Sequence, residues 1–323
     1  MEAFQPLFAN PHIATIAGNF WPRRLDAQTF PVRARFFRTE PDVQVLVHSQ
    51  APAATPQAEL LLVHGLEGSS DAGYSRSLSQ AALLRGYAVH RFNMRSCGGT
   101  ESVCGKTLYH SGQTGDLLAV AREIVRENGR PLILVGFSLG GNVVLKLAGE
   151  LADDAGSLLA GAAAISTPID LAACSRRLTC RENFIYSYRF VDRLKKRIRL
   201  KERIAPGSFP LDRLRQVNTV YQFDDAFTAP AFGFGTADNY YASQSCNQFL
   251  GRIRVPTLVI QAQDDPLIPF SVYQHPAFQE NPYLTLVAPE HGGHLGFLSR
   301  RREARFWLDK VLLDWFASLL APT

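Results

Sequence analysis

The feature that most narrows the fold is a repeated exchange between short, nearly uninterrupted apolar runs and longer amphipathic ones. Residues 59–63 (ELLLV), 87–92, 131–135 and 159–165 read as strands, and residues 74–84, 114–127 and 139–151 between them read as helices. Strands that are apolar on both faces must be covered on both faces. They therefore predict an α/β architecture, a mostly parallel central sheet with helices on each side. The exchange stops near residue 167 and resumes with a strand at 257–261 (TLVIQ), a strand at 283–287 and a closing helix from about 303 to 319. The spacing predicts one domain over 1–323 with a lid-like insertion at about 167–250, placed to cover the carboxyl ends of the strands. Residues 51–56 (APAATP) read as a loop.

Bulk properties remove several classes. A chain of 323 residues with 46% hydrophobic and 20% charged residues can build a large core and is not disordered. A net charge of +5 without a nucleic-acid motif predicts no nucleic-acid partner. The five cysteines, Cys97, Cys104, Cys174, Cys180 and Cys246, form no CxxC pair and read as free thiols in a reducing compartment. Residues 1–22 lack a basic stretch followed by an apolar run, and no window reaches about eighteen apolar residues. A soluble, cytoplasmic protein without a spanning segment is expected.

The chemistry-bearing motif is Gly136-Phe137-Ser138-Leu139-Gly140, a G-x-S-x-G. Alone it is common. Here an apolar strand runs into it and an amphipathic helix runs out. A nucleophilic serine needs that context, because the sharp turn lifts its hydroxyl clear of the sheet and the glycines let strand and helix pass closely. The N–H of Leu139, at the helix start, is then a candidate oxyanion donor. The loop after the first buried strand, residues 64–70 (HGLEGSS), is expected to supply the second donor from Leu66. His64 in that loop reads as structural.

In an α/β-hydrolase arrangement the acid and then the base follow the serine along the chain. Asp264 and Asp265 follow the 257–261 strand, and either could serve. Asp265 is preferred because it stands four residues before Pro269, a frequent hydrolase pattern. Asp264 is expected to cap the turn. The last strand is followed by residues 289–297 (PEHGGHLGF). His294, flanked by glycines, is the expected general base, and His291 the weaker candidate. The HxxH pair also has metal-ligand spacing, but no third ligand is evident, so neither metal nor cofactor is expected.

These blocks, taken in order, resemble the YheT-like branch of the α/β-hydrolase superfamily (the AB hydrolase 4 family), which includes the mammalian ABHD1 and ABHD3 proteins. The resemblance spans nearly the whole chain: Asn10-Pro11-His12, HGLEGSS at 64–70, Asn93-Met94-Arg95, Tyr109-His110-Ser111-Gly112, GFSLGGN at 136–142, FDDAFTAP at 223–230, DDP at 264–266 and GGHLGF. The chain departs from the family's usual Gln-Thr at Ala14-Thr15 and from its Arg-Gly at Arg95-Ser96, and neither departure is expected to touch the triad. The resemblance implies an esterase acting on acyl esters, with relatives that act on phospholipids or transfer medium-chain acyl groups to alcohols.

Residues 184–249 hold thirteen of the thirty-one Phe and Tyr. They read equally as a second small core or as an apolar wall for an acyl chain. Seven of the eleven residues 193–203 are basic, with Phe190, Leu194 and Ile198 at helical spacing. That run reads as a solvated face, or as a peripheral contact for anionic lipid or an acidic substrate. The expected function is a serine carboxylesterase on short- to medium-chain acyl esters, through an acyl-enzyme. The alternatives are an acyltransferase or phospholipase, and a non-catalytic binding protein on the same fold.

Overall fold

The computed structural model describes residues 3–321. Its centre, among the described residues, is an eight-stranded sheet: β1 (Arg33–Glu40), β2 (Val43–Gln50), β3 (Glu59–Val63), β4 (Ala88–Asn93), β5 (Leu132–Phe137), β6 (Gly161–Ile165), β7 (Thr257–Ile260) and β8 (Leu284–Val287). The order is β1-β2-β4-β3-β5-β6-β7-β8. The strands from β4 to β8 pair in parallel, and β1 and β2 add antiparallel at one edge.

The helices are α1 (Pro11–Phe20), α2 (Gly73–Leu84), α3 (Thr114–Asn128), α4 (Leu139–Leu151), α5 (Leu171–Leu178), α6 (Phe184–Ile204), α7 (Val220–Phe223), α8 (Ala229–Ala231), α9 (Ala237–Gln244), α10 (Ala277–Glu280) and α11 (Trp307–Leu320). Every residue of β3 to β7 is buried. Alternate residues feed opposite cores, as the pleat requires. Leu61, Val63, Leu132 and Leu134 pack with α3 and α4. Leu60, Leu62, Ile133 and Val135 pack with α2 and α11. No helix among the described residues is long and apolar enough to cross a membrane.

Three elements differ from expectation. The hairpin β1–β2 was not anticipated. β1 is largely exposed and rich in charge (RARFFRTE), which suits an edge strand and hides it from a search for buried runs. Helix α1 was also missed, although Asn10 is a regular cap: its Oδ1 accepts from the N–H groups of His12 and Ile13 at 3.0 and 3.1 Å, and Pro11 opens the helix. The closing helix begins at Trp307 rather than near residue 303. A bridge between Leu298 and Phe306 and a bond from Ser299 N–H to Arg305 O hold the intervening chain in a loop.

Between β6 and β7 the described chain is helical and contains two small apolar clusters. One joins Leu194, Ile198, Phe223 and Phe227 with Leu108, and the other joins Leu171 with Tyr240 and Tyr241. Residues of α5, α6, α7 and α9 line a cavity together with Leu66, Ser138 and Pro168, which follow β3, β5 and β6.

Candidate active site

Strand β5 ends at Phe137 and helix α4 begins at Leu139, so Ser138 alone makes the turn, with φ 52° and ψ −122°. For a non-glycine residue this conformation costs about 1–3 kcal/mol and persists only where packing enforces it. The packing is backbone on backbone. A Cβ on Gly136 would lie 2.4 Å from Gly140 O, and a Cβ on Gly140 would lie 2.4 Å from Val63 O. Ser138 N–H donates to Ile165 O at 2.8 Å, tying the elbow to β6.

His294 reaches Ser138 from the loop after β8. Its Nε2 is 3.0 Å from Ser138 Oγ and its Nδ1 is 2.9 Å from Asp265 Oδ2. Asp265 is buried and accepts further hydrogen bonds: Oδ1 from Leu267 and Ile268 N–H at 2.8 and 3.1 Å, Oδ2 from Gln261 Nε2 at 3.1 Å. The expected division between the two aspartates is partly reversed. Asp265 itself caps the turn, while Asp264 braces the histidine loop, accepting from Gly293 N–H at 2.9 Å and facing His291 Nδ1 at 3.1 Å. The two histidines thus turn to different carboxylates.

The loop that carries His294 is also held from α1. His294 N–H donates to Thr15 Oγ1 at 2.8 Å, and a Cβ on Gly293, where φ is 57°, would lie 2.5 Å from Pro11 O. Glycine is required there twice over, by space and by conformation.

Residues 64–68 pass beside the serine, close enough that a Cβ on Gly65 would sit 3.1 Å from Ser138 Cβ. Gly65 N–H donates to Tyr74 OH at 2.9 Å, and Gly68 N–H closes a turn onto Gly65 O at 3.0 Å. Leu66 and Leu139 both line the cavity that contains Ser138 and His294. Their N–H groups have no acceptor among the loop, turn and side-chain hydrogen bonds of the described residues. His64 is buried, with Nδ1 2.8 Å from Gly65 O and Nε2 3.2 Å from Met94 N–H. Burial pushes its pKa down to about 4, so it is a neutral bracket in the core.

Ser138 and His294 lie where two cavities meet. One, of about 110 Å³, is lined mainly by apolar side chains, among them Leu108, Leu171, Leu194 and Phe223, with Asp224 and Tyr241 also in its wall. The other, of about 590 Å³, is wider and more polar, lined by Asn19, Glu67, Tyr186, Arg189 and Arg193. Of the aromatic residues at 184–249, Phe223 belongs both to a small core and to the wall of the apolar cavity.

The basic run divides. Arg197 turns inward to Glu67, and buried Lys201 donates to Glu101 O at 2.9 Å and Gly105 O at 2.5 Å. Arg193, Lys196, Arg199 and Arg203 remain exposed. The expectation that the Ala14-Thr15 departure stands clear of the triad residues is overturned, since Thr15 Oγ1 accepts from His294 N–H, and sequence reasoning gave no role to Tyr74, Tyr109 or the Glu67–Arg197 pair. The cap at Asn10-Pro11 was a usable signal for α1, whereas nothing local marks the others.

The model of the alpha/beta hydrolase fold family matches residues 59–300. YheT of Escherichia coli (strain K12), which carries an esterase name, is 33% identical over 97% of this chain and 92% of its own. Phospholipase ABHD3 of Mus musculus is 29% identical over 76% of this chain and 59% of its own. Monoacylglycerol lipase of Saccharomyces cerevisiae is 28% identical over 78% and 57%. Among solved structures, the Pyrococcus furiosus esterase Pf2001 superposes with a TM-score of 0.60 at 15% identity, covering 97% of this chain and 98% of that one.

Proposed function

Because this chain belongs to the α/β-hydrolase family, in its YheT-like branch, we propose that it is a serine carboxylesterase that works through an acyl-enzyme. The observation that carries the reading is the line Ser138–His294–Asp265, at 3.0 and 2.9 Å, in the wall of an apolar cavity. Ser138 Oγ attacks the ester carbonyl while His294 Nε2 takes its proton. Asp265 holds Nδ1–H and balances the imidazolium. The N–H groups of Leu66 and Leu139 receive the oxyanion. His294 then protonates the leaving alcohol, and a water activated by the same histidine releases the acid.

The acyl chain enters the narrow apolar cavity under α5–α9, which acts as a lid of one domain and limits the chain to short or medium length. The alcohol leaves through the wider polar cleft. An alcohol in place of water would carry the same intermediate into acyl transfer. Peripheral contact with an anionic lipid surface is assigned only to the exposed Arg193, Lys196, Arg199 and Arg203.

The test is labelling with a fluorophosphonate probe, together with hydrolysis of p-nitrophenyl esters from acetate to palmitate. Wild type labels and turns over best on short or medium chains, and Ser138→Ala and His294→Ala fall by several orders of magnitude. An unlabelled wild type, or a Ser138→Ala variant retaining more than about a hundredth of wild-type activity, overturns the reading.

A further inference from the structure

We propose that Arg197, on the lid helix α6, is a positioning residue for the oxyanion hole, acting through Glu67. The inference rests on the esterase reading above, in which Leu66 N–H is an oxyanion donor.

Glu67 directly follows that donor and holds φ 55°, in the left-handed region that a glutamate ordinarily avoids. It sits in the turn closed by Gly68 N–H on Gly65 O. A relaxation of Glu67 to negative φ would rotate the adjoining peptides and swing the 65–67 segment away from Ser138. The contacts opposing this come from outside the turn. Arg197 grips the carboxylate with a two-pronged fork, Nε to Oε1 at 2.6 Å and Nη2 to Oε2 at 2.9 Å. Tyr109 OH donates to Oε1 at 2.9 Å and accepts from Glu67 N–H at 2.8 Å, so side chain and backbone are pinned together. Arg193 Nη1 reaches Glu67 O at 3.4 Å.

The pair is shielded, with side-chain exposures of 11% for Arg197 and 4% for Glu67. Loss of one partner would leave the other a buried, uncompensated charge. Two of the three residues holding Glu67 belong to α6, whose Phe190, Leu194 and Arg197 also line the narrow cavity. The helix that walls the acyl chain is therefore the helix that sets the oxyanion donor. Displacing α6 to empty or fill the cavity disables the hole, and seating it restores the hole. The predicted signature is selective: such a device acts on transition-state binding and leaves ground-state binding of the ester nearly unchanged.

The experiment compares full-length wild type, Arg197→Lys, Arg197→Met and Tyr109→Phe. It records kcat and KM on p-nitrophenyl butyrate, inhibition by an alkyl trifluoromethyl ketone, fluorophosphonate labelling and Tm. The ketone adds to the serine as a tetrahedral oxyanion and so reports the hole directly. Arg197→Met is expected to lose about a hundredfold in kcat, with KM within about threefold and ketone affinity reduced in parallel with kcat. Arg197→Lys is expected to recover part of both, and Tyr109→Phe to show the same split at about tenfold. If Arg197→Met does not fold, Arg197→Lys and Tyr109→Phe carry the test. Variants that melt earlier yet keep wild-type kcat and ketone affinity would make the pair purely structural and overturn the proposal. A wild type that neither labels nor turns over removes the esterase reading, and this inference with it. A wild type that does both beside unaffected variants removes this inference alone.

Discussion

The sheet and the helical segment between β6 and β7 bury their chains by different means. In the sheet, β3 to β7 are buried throughout and the elbow is held by backbone touching backbone at Gly136 and Gly140. In the helical segment, small clusters around Leu194 and Phe223 are supplemented by polar ties. These include Arg197 on Glu67, Lys201 on backbone carbonyls, and Tyr241 OH on Asp224 Oδ2 at 2.6 Å. Backbone contacts tolerate almost no displacement, whereas side-chain ties can be remade. Ser138, the proposed nucleophile, stands on the first kind of structure and the cavity wall on the second.

The largest effect expected from breaking the rigid side is at Asp265. Asp265→Asn should lower kcat by as much as about 10⁴, because the imidazole loses both its tautomer and its counter-charge. Asp264→Asn should lower kcat by about tenfold and reduce Tm, since it loosens the loop that carries His294 without removing a partner of the ring. Kinetics and melting of both variants decide this. An inactive Asp264→Asn beside an active Asp265→Asn exchanges the roles.

A pair of glycines measures the contrast in stability. Gly140→Ala drives a methyl into Val63 O and should cost roughly 3 kcal/mol. Gly233, with φ +75° and open space around it, should lose only about 1 kcal/mol as alanine, for the left-handed backbone alone. Equal costs in urea denaturation would erase the difference between the two regions.

The two regions should also respond oppositely to pH. His64, beside β3, has its pKa pushed down by burial from 6.5 to about 4. Its stabilising contribution is full above pH 6.5 and is lost as pH falls to about 4, a change on the order of 3 kcal/mol. Asp224, in the helical segment, is pushed up by burial from 3.8 to about 6, so its contribution is full below pH 3.8 and is lost as pH rises to about 6. In Tm measured from pH 4 to 7, Asp224→Asn should steepen the rise with pH, and His64→Asn should flatten it. A shift in the same direction for both variants contradicts the assignment.

The smallest effect concerns the cavity wall. Leu194→Ala should favour longer acyl chains by about tenfold in relative kcat/KM along the p-nitrophenyl series. An unchanged chain-length optimum would place the acyl group elsewhere.

Much of this could be read in advance because its causes are local. The buried strands announced themselves as apolar runs. The Gly-x-Ser-x-Gly elbow lay between one of those strands and an amphipathic helix, and the two glycines of the 292–293 pair stood beside the histidine. The β1–β2 hairpin escaped because an exposed edge strand has no apolar run to betray it. The 184–204 helix was legible as a helix from Leu194 and Ile198, but the seven basic residues of 193–203 looked alike on paper. The start of the closing helix was misplaced because a tertiary bridge, Leu298 to Phe306, overrides the helical pattern before Trp307.

By itself the sequence determined the parallel sheet, the placing of a serine on a strained strand–helix turn and the candidates for acid and base, because pleat, helical periodicity and glycine tolerance act between near neighbours. Only the tertiary structure decided which remote groups meet. Thr15 braces His294 across 279 positions and Arg197 clamps Glu67 across 130. Those pairings are selected by which polar groups lose water together when the helices close over the sheet, and no local pattern carries that information.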